Sequence, residues 1–361
     1  MSYIRQSLTL SLAFAVAVCA GDVPTKKRHN AALGNAESAQ SGVLWLAPVD
    51  LESRNLFWGS GGESRAPHGT RFTFDKEDMS GSNPKLDVRA DDQVKWKLKL
   101  GSEARPETAA ARFVWAIGYF TTDNYLVPEL RVDELPQHLH RGQNLVGPGG
   151  VLHDARLKRN PEGYEKAGTW KWKEDPFTET REYNGLRVLM ALMNNWDLKD
   201  ENNEVLERKK KNKDKESDPD HPDPDTPAAS RPERLFIVSD LGASFGTAGI
   251  GRQHNLRKGN LEFYKRSKFV VKATPEYVDF ATPARPGMIL LFNPQVYFMR
   301  VHLEWIGHHI PRADARWAGE LLGRLSDAQI RDAFRAAGFS SEEIDGFTTI
   351  VEARINLLKN L

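Results

Sequence analysis

The chain has 361 residues, a length that suits about two compact units at roughly 150 residues each. Its 50 Lys and Arg stand against 49 Asp and Glu, a net charge of +1, so there is no overall basic surface for nucleic acid. A single cysteine excludes an internal disulfide framework and any cysteine-based zinc cluster, while a chain of this length still buries a sizeable core.

The N-terminus bears on compartment. Arg5 precedes an apolar run from Leu8 to Val18, and Val18-Cys19-Ala20 is followed by Gly21-Asp22. A basic start, a short apolar stretch and small residues before a polar restart form the pattern of a secretory signal peptide over residues 1–20. That run is too short to span a bilayer, which takes about 20 residues, and no later segment is long and apolar enough, so no transmembrane helix is expected. Cleavage after Ala20 removes Cys19. The alternatives are a lipid anchor on Cys19 or an uncleaved segment. The protein is therefore expected to be exported, periplasmic or extracellular. Residues 21–42 are small, polar and without period, which suits a flexible leader.

Strand-like runs and turns follow to about residue 100. Phe72-Thr73-Phe74 alternates, Ser80-Gly81-Ser82-Asn83-Pro84 is turn chemistry, and Lys85 to Val88 is short and extended. After Asp91-Asp92 comes a strictly alternating strand, with Val94, Trp96, Leu98 and Leu100 on one face and Lys95, Lys97 and Lys99 on the other. Glu107 to Ile117 has the spacing of a helix, stopped by Gly118. Residues 130–180 read as irregular, with a strand at Thr169–Lys173 carrying half-buried Trp170 and Trp172. Leu186, Leu189, Met190 and Met193 mark a helix beginning after Asn184-Gly185. From Glu207 to Pro232 a lysine block gives way to Asp-Pro alternation, which cannot bury enough apolar surface to order itself and reads as a disordered insertion. A buried strand at Leu235–Val238 ends at Ser239-Asp240. The C-terminal part is helical: Ser326 with Gln329 and Ser340 with Glu343 have capping-box spacing. His302, His308 and His309 surround Trp305 on an expected helix without the H-E-x-x-H of a zinc protease.

Three strings carry chemistry. Asn195-Trp196-Asp197-Leu198-Lys199-Asp200-Glu201-Asn202-Asn203 sets a carboxylate, a cation and an amide oxygen in one short loop. That set suits phosphoryl transfer, which needs a base for the attacking hydroxyl and an oxygen ligand for magnesium. Asp240-Leu241-Gly242 follows the Leu235–Val238 strand, and glycines at 242, 246, 249 and 251 make the next stretch flexible. The third is Lys99-Leu100-Gly101-Ser102-Glu103-Ala104-Arg105-Pro106-Glu107, a strand lysine and a helix glutamate.

The first string resembles the protein-kinase catalytic loop H-R-D-x-x-x-x-N, with Asn195-Trp196 in place of His-Arg, and the second resembles D-F-G. The third is similar to the K-x-G-D-D-x-R-Q-D of phosphoinositide-3-kinase-like enzymes. Their order along the chain is that of a kinase. Atypical kinase-like families come closest: phosphoinositide kinases, HipA-type kinases, and exported CotH-type or secretory-pathway kinases. The whole chain also looks like a group of uncharacterised exported bacterial proteins. The resemblance implies an α+β, two-lobed protein-kinase-like fold, with a small β-rich N-lobe at 43–130 and a mainly helical C-lobe at 131–361. It implies ATP with Mg²⁺ in the cleft and transfer of the γ-phosphoryl group to an unknown hydroxyl acceptor. Lys99, or Lys97 on the same face, would pair with the phosphates, with Glu107 as acidic partner and Gly81 and Ser82 in a phosphate-covering turn. Asp197 would be the catalytic carboxylate and Lys199 its neutralising neighbour, with Asn202 and Asp240 on the metal. The alternative is a catalytically inactive kinase-fold binding or scaffold protein of the cell envelope.

Overall fold

The computed structural model describes residues 42–81, 83–209, 232–248, 257–283, 289–292 and 294–361. The expected signal segment, the leader up to Ser41, residues 210–231 of the insertion, Ser82, Gly249 and Gly251 lie outside these. Among the described residues no helix is long and apolar enough to cross a membrane. The fold is mixed α+β.

Five strands close a barrel in the order β2-β3-β4-β6-β5: β2 (Arg71–Glu77), β3 (Lys85–Ala90), β4 (Lys95–Lys99), β5 (Asp123–Asp133) and β6 (Val151–Arg159). The alternation in β4 sends Trp96 and Leu98 inward, where they pack with Phe72, Leu86, Val88, Tyr125 and Leu157. Its lysine face is not uniformly wet. Lys95 and Lys97 are exposed, but Lys99 is 2% exposed, covered by α1 (Ala104–Ala116). Helix α1 starts three residues earlier than its apolar spacing predicts.

Residues 130–180 are far more regular than expected. Strands β5 and β6 pair antiparallel over nearly their whole length, and β7 (Tyr164–Gly168) follows. Residue 130 thus lies inside a barrel strand, and the barrel closes only with β6, which ends at Arg159. The Gly-Pro-Gly-Gly at 147–150 is the turn that leads into β6, and its last position has no room for a side chain: a Cβ on Gly150 would sit 2.2 Å from the Val132 carbonyl oxygen. The Thr169–Lys173 segment is not a strand. Trp170 and Trp172 are buried there and pack edge to face, ring centroids 4.9 Å apart.

A four-stranded sheet lies beside the barrel in the order β1-β9-β8-β7, with β1 (Gly42–Val43), β8 (Asn203–Arg208) and β9 (Arg234–Val238). The insertion therefore begins later than composition suggests, because Glu207 and Arg208 are residues of β8, and Glu207 pairs with Arg234 of β9. Gly42, expected in the leader, also pairs with Arg234.

Helix α2 (Arg181–Leu192) begins before Asn184-Gly185, capped by the Thr180 side chain accepting from the Tyr183 N–H. Gly185 is inside it because the helix is packed on both sides: a Cβ there would meet the Trp317 ring at 2.4 Å and the Tyr119 hydroxyl at 2.6 Å. The remaining α-helices among the described residues are α3 (Leu261–Arg266), α4 (Ile289–Phe292), α5 (Pro294–His302), α6 (Arg312–Leu322), α7 (Asp327–Arg335) and α8 (Ser341–Lys359), with a small sheet of β10 (Val270–Ala273), β11 (Tyr277–Phe280) and β12 (Ile310–Pro311). His302 ends α5, whereas His308 and His309 lie beyond it, just before β12. Both expected capping boxes are present, at Ser326 and Ser340. Buried Arg354 of α8 donates to the Leu192 carbonyl at 2.8 Å and covers the Tyr264 ring, tying α8 to the end of α2. These contacts hold in place the loop that follows α2.

Candidate active site

Strand register brings the cations together. Lys85 of β3 and Arg156 of β6 are the cross-strand partners of Lys99, and Asp87 and Lys158 are those of Lys97. Cross-strand partners share a face, so Lys85, Lys99 and Arg156 form one row and Lys97 and Lys158 lie in the next. Helix α1, its N-cap residue Glu103 and the segment after β9 supply the opposing charge. Lys99 Nζ lies 2.7 Å from Glu107, 2.9 Å from Glu103 and 3.2 Å from Asp240. Arg156 also holds Glu107, at 3.0 Å, and Lys258 holds Glu103, at 2.5 Å.

Burial alone would push the Lys99 ammonium down. Glu107, Asp240 and Glu103 outweigh it and hold the ammonium charged well above its ordinary range. Burial likewise opposes ionisation of Asp240, yet Lys99, with Lys85 behind it, keeps that carboxyl well below the usual range. The sequence reading leaves Lys97 and Lys99 as alternatives, and the geometry separates them. Lys97 is exposed and pairs with Asp78 and Asp87 at 3.3 and 3.4 Å, whereas Lys99 meets Glu107 and Asp240.

A second register brings Asn202 to Asp240. Asn203 opens β8 opposite Val238, which closes β9. Asn202 and Ser239 are then neighbours, and the Asn202 carbonyl accepts from the N–H of Ser239 at 2.8 Å and of Asp240 at 3.4 Å. The Asn202 amide in turn donates to the Asp197 carbonyl at 2.7 Å. The loop around Asp197 is braced by the segment after Asp240: Trp196 N–H reaches the Ala243 carbonyl, and Phe245 N–H donates to Met193 at 2.8 Å.

These elements border a cavity of about 390 Å³. Of the expected site residues, Lys97, Lys99, Glu107, Gly81, Asn202 and Asp240 all line it, and Ser82 is outside the described residues. Asp197 and Lys199 do not line it. They pair with each other at 3.1 Å, both partly exposed.

Six residues of the cluster carry no role in the sequence reading: Lys85, Glu103, Arg156, Lys158, Glu204 and Lys258. Glu103 stands four residues after Lys99, inside the string compared with the kinase motif. Ala155-Arg156-Leu157-Lys158 alternates as β4 does, and that alternation was the available signal for β6. Arg156 is buried and lines the cavity, and its Nε and Nη1 have no hydrogen-bond partner among the described residues. Lys158 lines the cavity together with Glu204, and burial holds its ammonium below the ordinary lysine range although the Glu204 charge opposes this.

No protein-family model matches the chain, and no curated protein matches it. Among solved structures it is similar to the Helicobacter pylori proinflammatory kinase CtkA, at a TM-score of 0.41 and 11% identity, over 80% of this chain and 97% of that one.

Proposed function

We propose that the chain is a kinase-like phosphotransferase, exported from the cell, whose two lobes are the barrel to Arg159 and the helical part beyond it. The observation that carries this reading is the buried Lys99 in contact with both Glu107 and Asp240, with Asn202 beside Asp240 at the same cavity.

The residues suit the groups implied by the resemblance. Two orphaned N–H groups on Arg156, with Lys99 and Lys85 beside it, are donors for phosphate oxygens. Asp240 and Asn202 offer the hard oxygen ligands that Mg²⁺ takes. Bound ATP would supply the phosphoryl group, and Mg²⁺ would offset the charge on its phosphates. Glu107 orients Lys99 toward the phosphates. Asp197 accepts the proton of the acceptor hydroxyl, and Lys199, already paired with it, offsets the charge that builds up beside the transferred group.

A second reading, an inactive binding or scaffold protein, draws on two observations: Glu103 adds a third carboxylate to Lys99, and Asp197 does not line the cavity. A thermal-shift titration with Mg·ATP separates the cases when run alongside turnover. The phosphotransferase reading expects a shift that Asp240→Ala abolishes, and an Asp197→Ala variant that keeps the shift while losing turnover. A protein that shifts with Mg·ATP but transfers nothing to any hydroxyl compound is the scaffold.

A further inference from the structure

The cavity poses a problem for a nucleoside. Sites that hold a planar ring are lined mostly by apolar and aromatic side chains, with a few polar groups for orientation. Here the proportions are reversed: Leu98 is the one apolar side chain among the cavity's described lining residues, and eleven of the others are charged.

The mixed-charge lining of that cavity, six cations and five carboxylates among its described residues, gives way to a more cationic surface beyond it. A second cavity, of about 470 Å³, shares Lys97, Lys158 and Asn160 with the first and continues over the outer face of the barrel. Lys76, Lys95, Lys97, Lys158 and Arg159 line it, against Asp75 and Asp87 among its described residues. Its Trp96 is 3% exposed, and the ring belongs to the barrel core, where it packs on Tyr125 and beneath the Arg159 guanidinium. It is therefore not free to stack a base.

The strand register crowds cations on this face. Like charges directly opposite on neighbouring strands are destabilising, and here Lys85, Lys99 and Arg156 lie side by side and Lys97 is partnered by Lys158; carboxylates offset the inner row, at Lys99 and Arg156, and Asp78 and Asp87 offset Lys97. Arg156 moreover leaves two N–H groups without a partner among the described residues. An extended polyanion would partner those groups on Arg156 and offset the excess of cations on the outer face, where five stand against two carboxylates among the described lining residues.

Building on the phosphotransferase reading, we propose that the donor this site prefers is a linear inorganic polyphosphate. Its terminal phosphate meets Lys99 and Arg156, and its chain runs past Lys97 and Lys158 to Lys95 and Lys76. Transfer breaks the terminal P–O–P bond and forms a P–O–C bond to the acceptor oxygen. The acceptor proton passes to Asp197, and the chain leaves one phosphate shorter. No base or sugar is needed for any of these contacts.

The test is equilibrium binding to the full chain in Mg²⁺, with long-chain polyphosphate, tripolyphosphate, ATP and heparin as probes. Long-chain polyphosphate is expected to bind at least about tenfold more tightly than ATP, a difference of about 1.4 kcal/mol. Lys76→Ala with Lys95→Ala is expected to weaken the long chain severalfold and leave tripolyphosphate unchanged, because those lysines line only the second cavity. Asp240→Asn is expected to weaken every phosphate probe in Mg²⁺. ATP binding more tightly than polyphosphate overturns the donor assignment and leaves the phosphotransferase reading standing. Heparin binding as tightly as polyphosphate also overturns it, since heparin has no phosphoanhydride. Failure of all the phosphate probes to bind in Mg²⁺ overturns both.

Discussion

Replacing Lys99 with methionine tests the central cluster directly. The methionine keeps most of the side chain's length and apolar volume and removes only its charge. Lys99 is the shared partner of three carboxylates, Glu103, Glu107 and Asp240, whose oxygens lie within 4.8 Å of one another. Glu107 keeps Arg156 and Glu103 keeps Lys258, so the loss falls hardest on Asp240. Two carboxylates within 4.8 Å of each other repel by about 3.5 kcal/mol or more at an effective dielectric constant of about 20. Breaking a buried pair by removing one partner costs about 3–5 kcal/mol. A loss of about 3 kcal/mol in unfolding free energy at neutral pH is therefore expected. The pH dependence supplies the sharper check. In the native protein Asp240 and Glu103 titrate below their ordinary values of 3.8 and 4.5. Their contribution is complete above those values and is lost as pH falls through the lower, folded ones. In the variant the sign is expected to reverse: with the Lys99 charge gone, burial and the two neighbouring carboxylates push Asp240 upward against Lys85 and Lys158, and protonation relieves the strain. Urea unfolding of both proteins at about pH 7.5 and about pH 5 should show the gap between them narrowing by about 1 kcal/mol or more in acid. A gap under about 1 kcal/mol that does not change with pH would refute the electrostatic account of the cluster.

Other outcomes follow from the same geometry. Gly185→Ala is expected to destabilise by about 1–3 kcal/mol in thermal melts despite alanine's better helix propensity, because the new Cβ meets Trp317 and Tyr119; a gain in stability would show that this packing is loose. Ser340→Ala removes the side-chain half of the α8 capping box and should cost about 1 kcal/mol, measured by the same melts. Because burial lowers Lys158, the affinity of the cavity for phosphate anions should fall as alkaline pH neutralises it, below the ordinary 10.5 of lysine. Lys158→Arg, read by calorimetry, should move that loss to higher pH, and an unchanged profile would remove Lys158 from the anion site.

The sequence made the local pieces of the site legible and left their assembly hidden. Alternation in Lys95–Lys99 shows which residues share a face, but all three lysines look equally wet. Burial of Lys99 alone depends on α1 covering that end of the strand, a tertiary fact. Arg156 is hidden in the sequence because 130–180 is rich in Gly, Pro and His turns, which mask the alternation in β5 and β6. Asn202 and Asp240 were readable as separate motif residues. Their adjacency comes from the β8–β9 register, and the long insertion between the two strands conceals that pairing in the linear sequence. Gly185 misled for a simple reason: a glycine that suggests a helix boundary is here a close contact between packed surfaces. The capping boxes were readable because all their determinants lie within four consecutive residues.

The ion pairs around Lys99 have a further consequence in simple electrical terms. Three cations, Lys99, Arg156 and Lys258, face three anions, Glu103, Glu107 and Asp240. The cluster is at parity, so a lone divalent cation or a lone phosphate would each leave it with excess charge in a partly enclosed space. A metal arriving with its counter-anion restores balance. The two ligands are thus expected to promote each other's binding, each raising the other's affinity by the same factor.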